Sequence, residues 1–196
     1  AKMGVAFDIT GDEAGAMMAK WRTAFSMGQT DVNRLSDQIN ALTNTYGGSA
    51  LEVSGVVTRI GALGKVAGVT APQVAAMAQL LNSVGVEEEI AATGSKNMML
   101  AMTKGEAATK SQSKALKLMG LDAKQLAERM QTDASGAITD LLQKLKALPK
   151  AQQAGILTEL FSSEPVGAIA PMLLNLDKLQ GNLALVGNQS AYAGSM

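Results

Sequence analysis

Two seven-residue stretches, far apart in the chain, carry the same punctuation, and they constrain the fold more than any other feature. Residues 68–74 read Gly68-Val69-Thr70-Ala71-Pro72-Gln73-Val74, and residues 120–126 read Gly120-Leu121-Asp122-Ala123-Lys124-Gln125-Leu126. In both, a Gly suits the left-handed residue that ends one helix. An N-cap follows, with Gln three residues later to complete a capping box, and apolar residues before and after the cap suit a hydrophobic staple. Thr10 with Glu13 and Ser49 with Glu52 repeat the box, although Gly48 removes the staple from the second. Such a chain has to fold as short helices that stop and restart at fixed places.

The apolar periodicity agrees. Ala14, Met17, Met18, Trp21 and Phe25 recur at helical spacing, as do Val32, Leu35, Ile39 and Leu42 up to Tyr46 and the breaker Gly47-Gly48. Later stripes run through Ile138, Leu141, Leu142, Leu145 and Leu148, then Ile156, Leu157, Leu160 and Phe161. Val166, Ile169 and Leu173 follow, and then Leu176, Leu179, Leu183 and Val186. Gly85-Val86 before Glu87-Glu88-Glu89 marks another start, with carboxylates at the positive end of a helix. Pro149, Pro165 and Pro171 are expected near starts or in first turns, where a missing amide costs little. The first ten residues, with Phe7 and Ile9 alternating around Asp8, are expected to be extended. The fold class is therefore all-α: about ten short helices joined by tight Gly- and Pro-punctuated turns, in an irregular bundle or array. The caps are unevenly spaced, so no solenoid repeat is present. Residues 1–196 read as one all-helical segment, with a polar stretch from Thr103 to Ser113 as the sub-boundary or hinge.

Composition narrows what such a bundle can do. Apolar residues make up 47% of the chain, yet aromatics only 3%, so the core must be built from Ala, Leu, Val, Ile and Met. Charged residues are 17%, below the roughly 25% of an ordinary soluble domain, which points to surface buried against partners. The net charge is zero, which calls for neither nucleic acid nor an anionic membrane. No apolar run approaches the ~20 residues of a bilayer span, and the first residues lack the apolar core of a signal peptide. Without cysteine no disulfide can form, which is compatible with a reducing cytoplasm. The chain begins at Ala1 and stops after Gly194-Ser195-Met196, as expected for a fragment of something longer; an initiator Met removed before Ala1 also accounts for that start.

No histidine is present, which excludes Ser-His-Asp and Cys-His machinery and most transition-metal sites. No catalytic, cofactor-binding or metal-binding residue is assigned. Glu87, Glu88 and Glu89 read as helix-start charges. Lys110, Lys114 and Lys117 share one helix face, where contact with phosphates or an acidic partner competes with a solvated face. No aromatic or Arg accompanies them, so the solvated reading is preferred. Met98, Met99 and Met102 either fill a core short of aromatics or line a surface for varied partners, and core filling is preferred. Gly55, Gly61 and Gly64 weaken one helix by up to ~1 kcal/mol each, with close packing against a neighbouring backbone as the expected return.

The chain as a whole resembles the core region of phage tail tape measure proteins of the contractile-tail type. Phe7-Asp8-Ile9-Thr10-Gly11-Asp12-Glu13-Ala14 running into Met18-Ala19-Lys20-Trp21-Arg22 carries the resemblance, as do Leu35-Ser36-Asp37-Gln38-Ile39-Asn40 and the doubled glycine turns. Leu118-Met119-Gly120-Leu121 before Ile138-Thr139-Asp140-Leu141-Leu142 continues it. Leu157-Thr158-Glu159-Leu160-Phe161-Ser162-Ser163-Glu164-Pro165 and Ile169-Ala170-Pro171-Met172-Leu173 complete it. Many relatives have Gly where Ser162 stands, so the turn there is expected to be looser or longer. The resemblance implies a structural role in the virion, inside the tail tube, after assembly in the bacterial host cytoplasm. It implies that the whole protein sets tail tube length and nucleates tail assembly, with no reaction catalysed. The implied partners are tail tube protein, tail assembly chaperones and baseplate proteins, and the composition adds copies of the chain itself. The alternative is a cytoplasmic helical adaptor that binds a partner protein or peptide in an apolar groove, and a groove lined by Met98–Met102 would favour it.

Overall fold

The chain reverses where its caps say it should. A computed structural model describes residues 2–196, and among these it contains thirteen α-helices, one 3-10 turn and no strand. In order they are α1 (Lys2–Phe7), α2 (Gly11–Phe25), α3 (Gln29–Tyr46), α4 (Ala50–Ile60), α5 (Ala62–Val66), α6 (Ala71–Ser83) and α7 (Glu88–Met102). The 3-10 turn Gly105–Ala107 follows, then α8 (Lys110–Leu118), α9 (Ala123–Ala147), α10 (Lys150–Phe161), α11 (Val166–Leu174), α12 (Leu176–Gly187) and α13 (Gln189–Tyr192).

Thr10 and Thr70 form complete capping boxes. The Glu13 amide donates to Thr10 Oγ1 at 3.2 Å while the Thr10 amide donates to Glu13 Oε2 at 2.8 Å. Thr70 and Gln73 exchange the same pair at 3.3 and 2.9 Å. Asp122 accepts from the Gln125 amide at 3.0 Å and Ser49 from the Glu52 amide at 3.3 Å, each a one-way cap. Gly68 and Gly120 both adopt positive φ, +81° and +73°. Gly68 also sits where a methyl group would collide with the Met130 carbonyl oxygen, so this turn presses directly on the backbone of α9.

Three expectations need correction. The N-terminal residues are helical, because Met3 and Phe7 are one turn apart and both buried. Asp8 then takes φ +55°, the Ile9 amide donates to the Gly4 carbonyl at 2.9 Å, and the chain is delivered to the Thr10 cap. The Phe7/Ile9 alternation is the end of a helix and not a strand. Pro171 lies inside α11, away from its first turn. The helix containing Gly55, Gly61 and Gly64 breaks at Gly61 into α4 and α5, which with α1 and α13 raises the helix count above ten. Only part of the expected close packing is with backbone: a methyl at Gly55 would strike the Glu88 carboxylate, and one at Gly64 would meet the Val69 carbonyl oxygen at 3.2 Å.

The core centres on α6. Every residue from Val74 to Leu81 is buried, because α3, α4, α7, α11 and α12 all pack against this one helix. A helix buried on every side is central, with Gln79 its one buried polar side chain, and its alanines let its neighbours come close. Close approach recurs between α7 and α11, where Gly94 faces the Ala168 methyl. Trp21, fully buried on α2, donates Nε1–H to Thr58 Oγ1 of α4 at 2.9 Å, so this one large anchor keeps its polar atom satisfied. α9 is bent: Asp133 (φ −150°, ψ 63°) leaves the helix and accepts from the Gly136 amide at 3.0 Å, capping the second half internally.

Candidate functional site

Each group with chemical potential has been tied to a structural task or left in solvent. Glu88 accepts from Arg59 Nε at 2.6 Å and covers Gly55; both side chains are partly exposed, so the pair fixes the approach of α7 to α4 and adds little stability. The Glu88 carboxylate holds the Arg59 guanidinium above its ordinary value. Glu13 is held below the ordinary carboxylate range, chiefly by the Thr10 backbone amide and then by its hydroxyl. Lys110, Lys114 and Lys117 are exposed on α8, as a solvated face requires. Among the described residues no group of three or more acidic side chains converges in a way that could hold a metal ion. No helix among them is long and apolar enough to cross a membrane.

The methionines resolve the main ambiguity. Met98, Met99 and Met102 are 0%, 0% and 2% exposed, in one core with Met77, Met130 and Met172. They are packing atoms, so the apolar groove that would favour an adaptor is absent from that cluster. The shallow groove between α8 and α10, about 280 Å³, is lined by Leu118 and Ile156 together with Lys114, Gln152 and Glu159.

The polar groups that matter are buried amides, which the apolar periodicity passes over. Gln79 of α6 donates to the Gly47 carbonyl at 2.7 Å, and Asn82, one turn on, accepts from the Ser49 amide at 2.8 Å. Asn82 also donates to Glu52, whose carboxylate is thereby drawn away from its own cap. The α3–α4 turn is thus held by two side chains of α6. Asn182 of α12 donates to Gln79 Oε1 at 2.6 Å and to the Ala76 carbonyl at 3.0 Å, and Gln38 of α3 donates to the Val186 carbonyl at 2.9 Å. Asn182 Oδ1, Gln38 Oε1 and Ser95 Oγ are buried without a partner. A third capping box, Thr109 with Gln112, starts α8; Gln112 also donates to the Leu160 carbonyl at 2.9 Å, docking α8 on α10.

A cleft of about 470 Å³ lies where the first and last described residues meet; Lys2, Met3, Gly194 and Met196 line it together with Asn33 and Asp37. Its polar side chains are Lys2, Asn33 and Asp37, and the Asp37 carboxylate already accepts from the Met196 amide at 3.2 Å.

Comparison with known proteins gives this arrangement a context. The model of the phage-related minor tail protein family matches residues 1–162. A protein described as a probable tape measure protein, from Halomonas phage phiHAP-1, is 34% identical over 194 residues; the match covers 99% of this chain and 22% of that relative. The chain therefore spans about a fifth of the length of the curated relative it matches. No solved structure matches it.

Proposed function

The chain belongs to the phage-related minor tail protein family, and from that premise we propose that it is a structural segment of a tape measure protein, serving tail architecture without catalysing a reaction. One observation carries this reading: a 34% identical match to a probable tape measure protein runs through 99% of the chain. The buried faces support it, because Met, Ala and amide side chains are consumed by helix packing, and the cleft between α2 and α4 that gathers Glu13, Lys20, Arg59 and Glu88 has Glu13 engaged in the Thr10 cap and Glu88 in the pair with Arg59.

In this reading the parent protein lies in the tail tube, its length sets where tube growth stops, and it nucleates assembly with the baseplate. Tail assembly chaperones hold it soluble in the host cytoplasm before the tube forms. The segment also packs against copies of itself. Low charge and single exposed apolar side chains such as Val66 and Leu174, 72% and 79% exposed, favour such contacts. Sedimentation at rising concentration should show association; monomer throughout would remove self-contact from the proposal.

Purified tails provide the test of the whole reading. Mass spectrometry should find peptides of this segment in them, and in-frame deletions in the parent gene outside residues 1–196 should shorten the tail in proportion. Tails that lack the segment, or whose length ignores those deletions, would refute it.

A further inference from the structure

The two ends of the segment are held side by side. Met3 of α1 is buried, its Sδ 3.5 Å from Ser36 Oγ on α3. On the next residue of the same helix, Asp37 Oδ1 accepts from the Met196 amide at 3.2 Å, and the Asp37 carbonyl accepts from Ser195 Oγ at 2.9 Å. Asn40 Nδ2, one turn further along, donates to the Ser195 carbonyl at 2.5 Å and to Ser195 Oγ at 3.2 Å. Lys2 and Met196 line one cleft. Neighbouring Cα atoms are about 3.8 Å apart, so with side-chain reach on each side the two ends are separated by on the order of 20 Å.

Drawn out as one continuous helix at about 1.5 Å per residue, the same 196 residues would span about 290 Å. The folded segment therefore contributes about a fifteenth of the axial length its residue count implies. Its sequence enforces this compactness: Gly47, Gly61, Gly68 and Gly120 reverse or break the path, and the amides of Gln38, Gln79 and Asn182 tie α12 back onto α3 and α6.

We propose that this segment is a non-counting bead: in a tape measure its residues do not add to the measured length while it stays folded, because the chain enters and leaves at one turn of α3. The proposal rests on the tape measure reading above, and the test separates the two.

The experiment is made on the full parent protein in its phage. Deleting the codons for residues 2–196 should leave tail length, measured on electron micrographs, unchanged to within about 20 Å. A tandem duplication of the same codons should likewise leave it unchanged, and covers the case in which the deletion blocks assembly. Shortening or lengthening by about 290 Å, the helical span, would overturn the bead proposal while leaving the tape measure reading intact. A deletion of equal size elsewhere in the gene that fails to shorten the tail would instead overturn that reading. As a readout independent of both length variants, a Lys2→Cys/Met196→Cys pair should be joined within one chain by a short bis-maleimide reagent in intact virions. Joining in the purified parent protein but not in virions would show that the bead opens on assembly, and would refute the proposal.

Discussion

Ser162 should be the cheapest place to stabilise this chain. It ends α10 with φ 65° and ψ −179°, a region that residues with a Cβ avoid and that costs on the order of 1–3 kcal/mol. Gly47 ends α3 in nearly the same conformation, φ 83° and ψ −176°, with nothing within 4 Å of where a Cβ would stand. Two helices thus stop by one backbone device, with a suitable residue in one case and a strained one in the other. Replacing Ser162 by Gly removes the strain but frees the unfolded chain by about 0.5–1 kcal/mol. The Ser162 hydroxyl bonds only to the adjacent Phe161 carbonyl, and the residue is exposed, so water can replace that bond. The net expectation is a gain of about 1 kcal/mol, seen as a rise of roughly 2–4 °C in Tm for a chain of this size. The reciprocal change, Gly47→Ala, introduces the same strain with no steric clash and should cost about 1–2 kcal/mol. Thermal and urea unfolding followed by far-ultraviolet circular dichroism measures both. A neutral or destabilising Ser162→Gly together with a neutral Gly47→Ala would refute the argument from backbone strain.

Other perturbations read different parts of the core. Gly68→Ala drives a methyl group into the Met130 carbonyl oxygen at a positive φ and should cost about 3 kcal/mol in urea unfolding. Asn182→Ala strips Gln79 Oε1 and the Ala76 carbonyl of their buried donor and should cost about 2 kcal/mol, whereas Lys114→Ala on the exposed face of α8 should change stability by less than about 0.5 kcal/mol. Met98→Ala opens a cavity in the core and should cost about 2–5 kcal/mol. The carboxyl pKa of Glu13 is lowered by folding, so its contribution is present above the unfolded carboxylate value and fades as pH falls through the lower folded one. Glu13→Gln should therefore be less stable than the parent chain near neutrality, and the difference should vanish in acid.

The helix starts were the most legible part of the fold. Thr10, Ser49, Thr70 and Asp122 all cap helices, because capping is local chemistry confined to four residues and needs no tertiary context. The N-terminal helix was hidden because Met3 and Phe7 make a single turn, too short for periodicity to outweigh the Phe7/Ile9 alternation. Pro171 is not legible from its residue type, because a proline signals a helix start equally well where α11 continues through it from Val166 to Leu174. At Ser162, where a Gly-less turn is expected to be looser or longer, four residues separate α10 from α11 and Ser162 itself takes φ 65°. The buried amides Gln38, Gln79 and Asn182 were invisible, since a hydrophobic pattern assigns every amide to solvent unless the partner carbonyls, some more than 100 residues away, are known. The Met cluster was legible because a core with 3% aromatics has to fill its volume with something flexible.

The account depends on α6 being the helix on which the packing faces converge. Hydrogen exchange on the purified chain tests this directly. The amides from Val74 to Leu81 should be the slowest in the molecule and exchange only through global unfolding, while those of α1 and α13 exchange through local opening. Exchange in α6 as fast as at the two ends would contradict it.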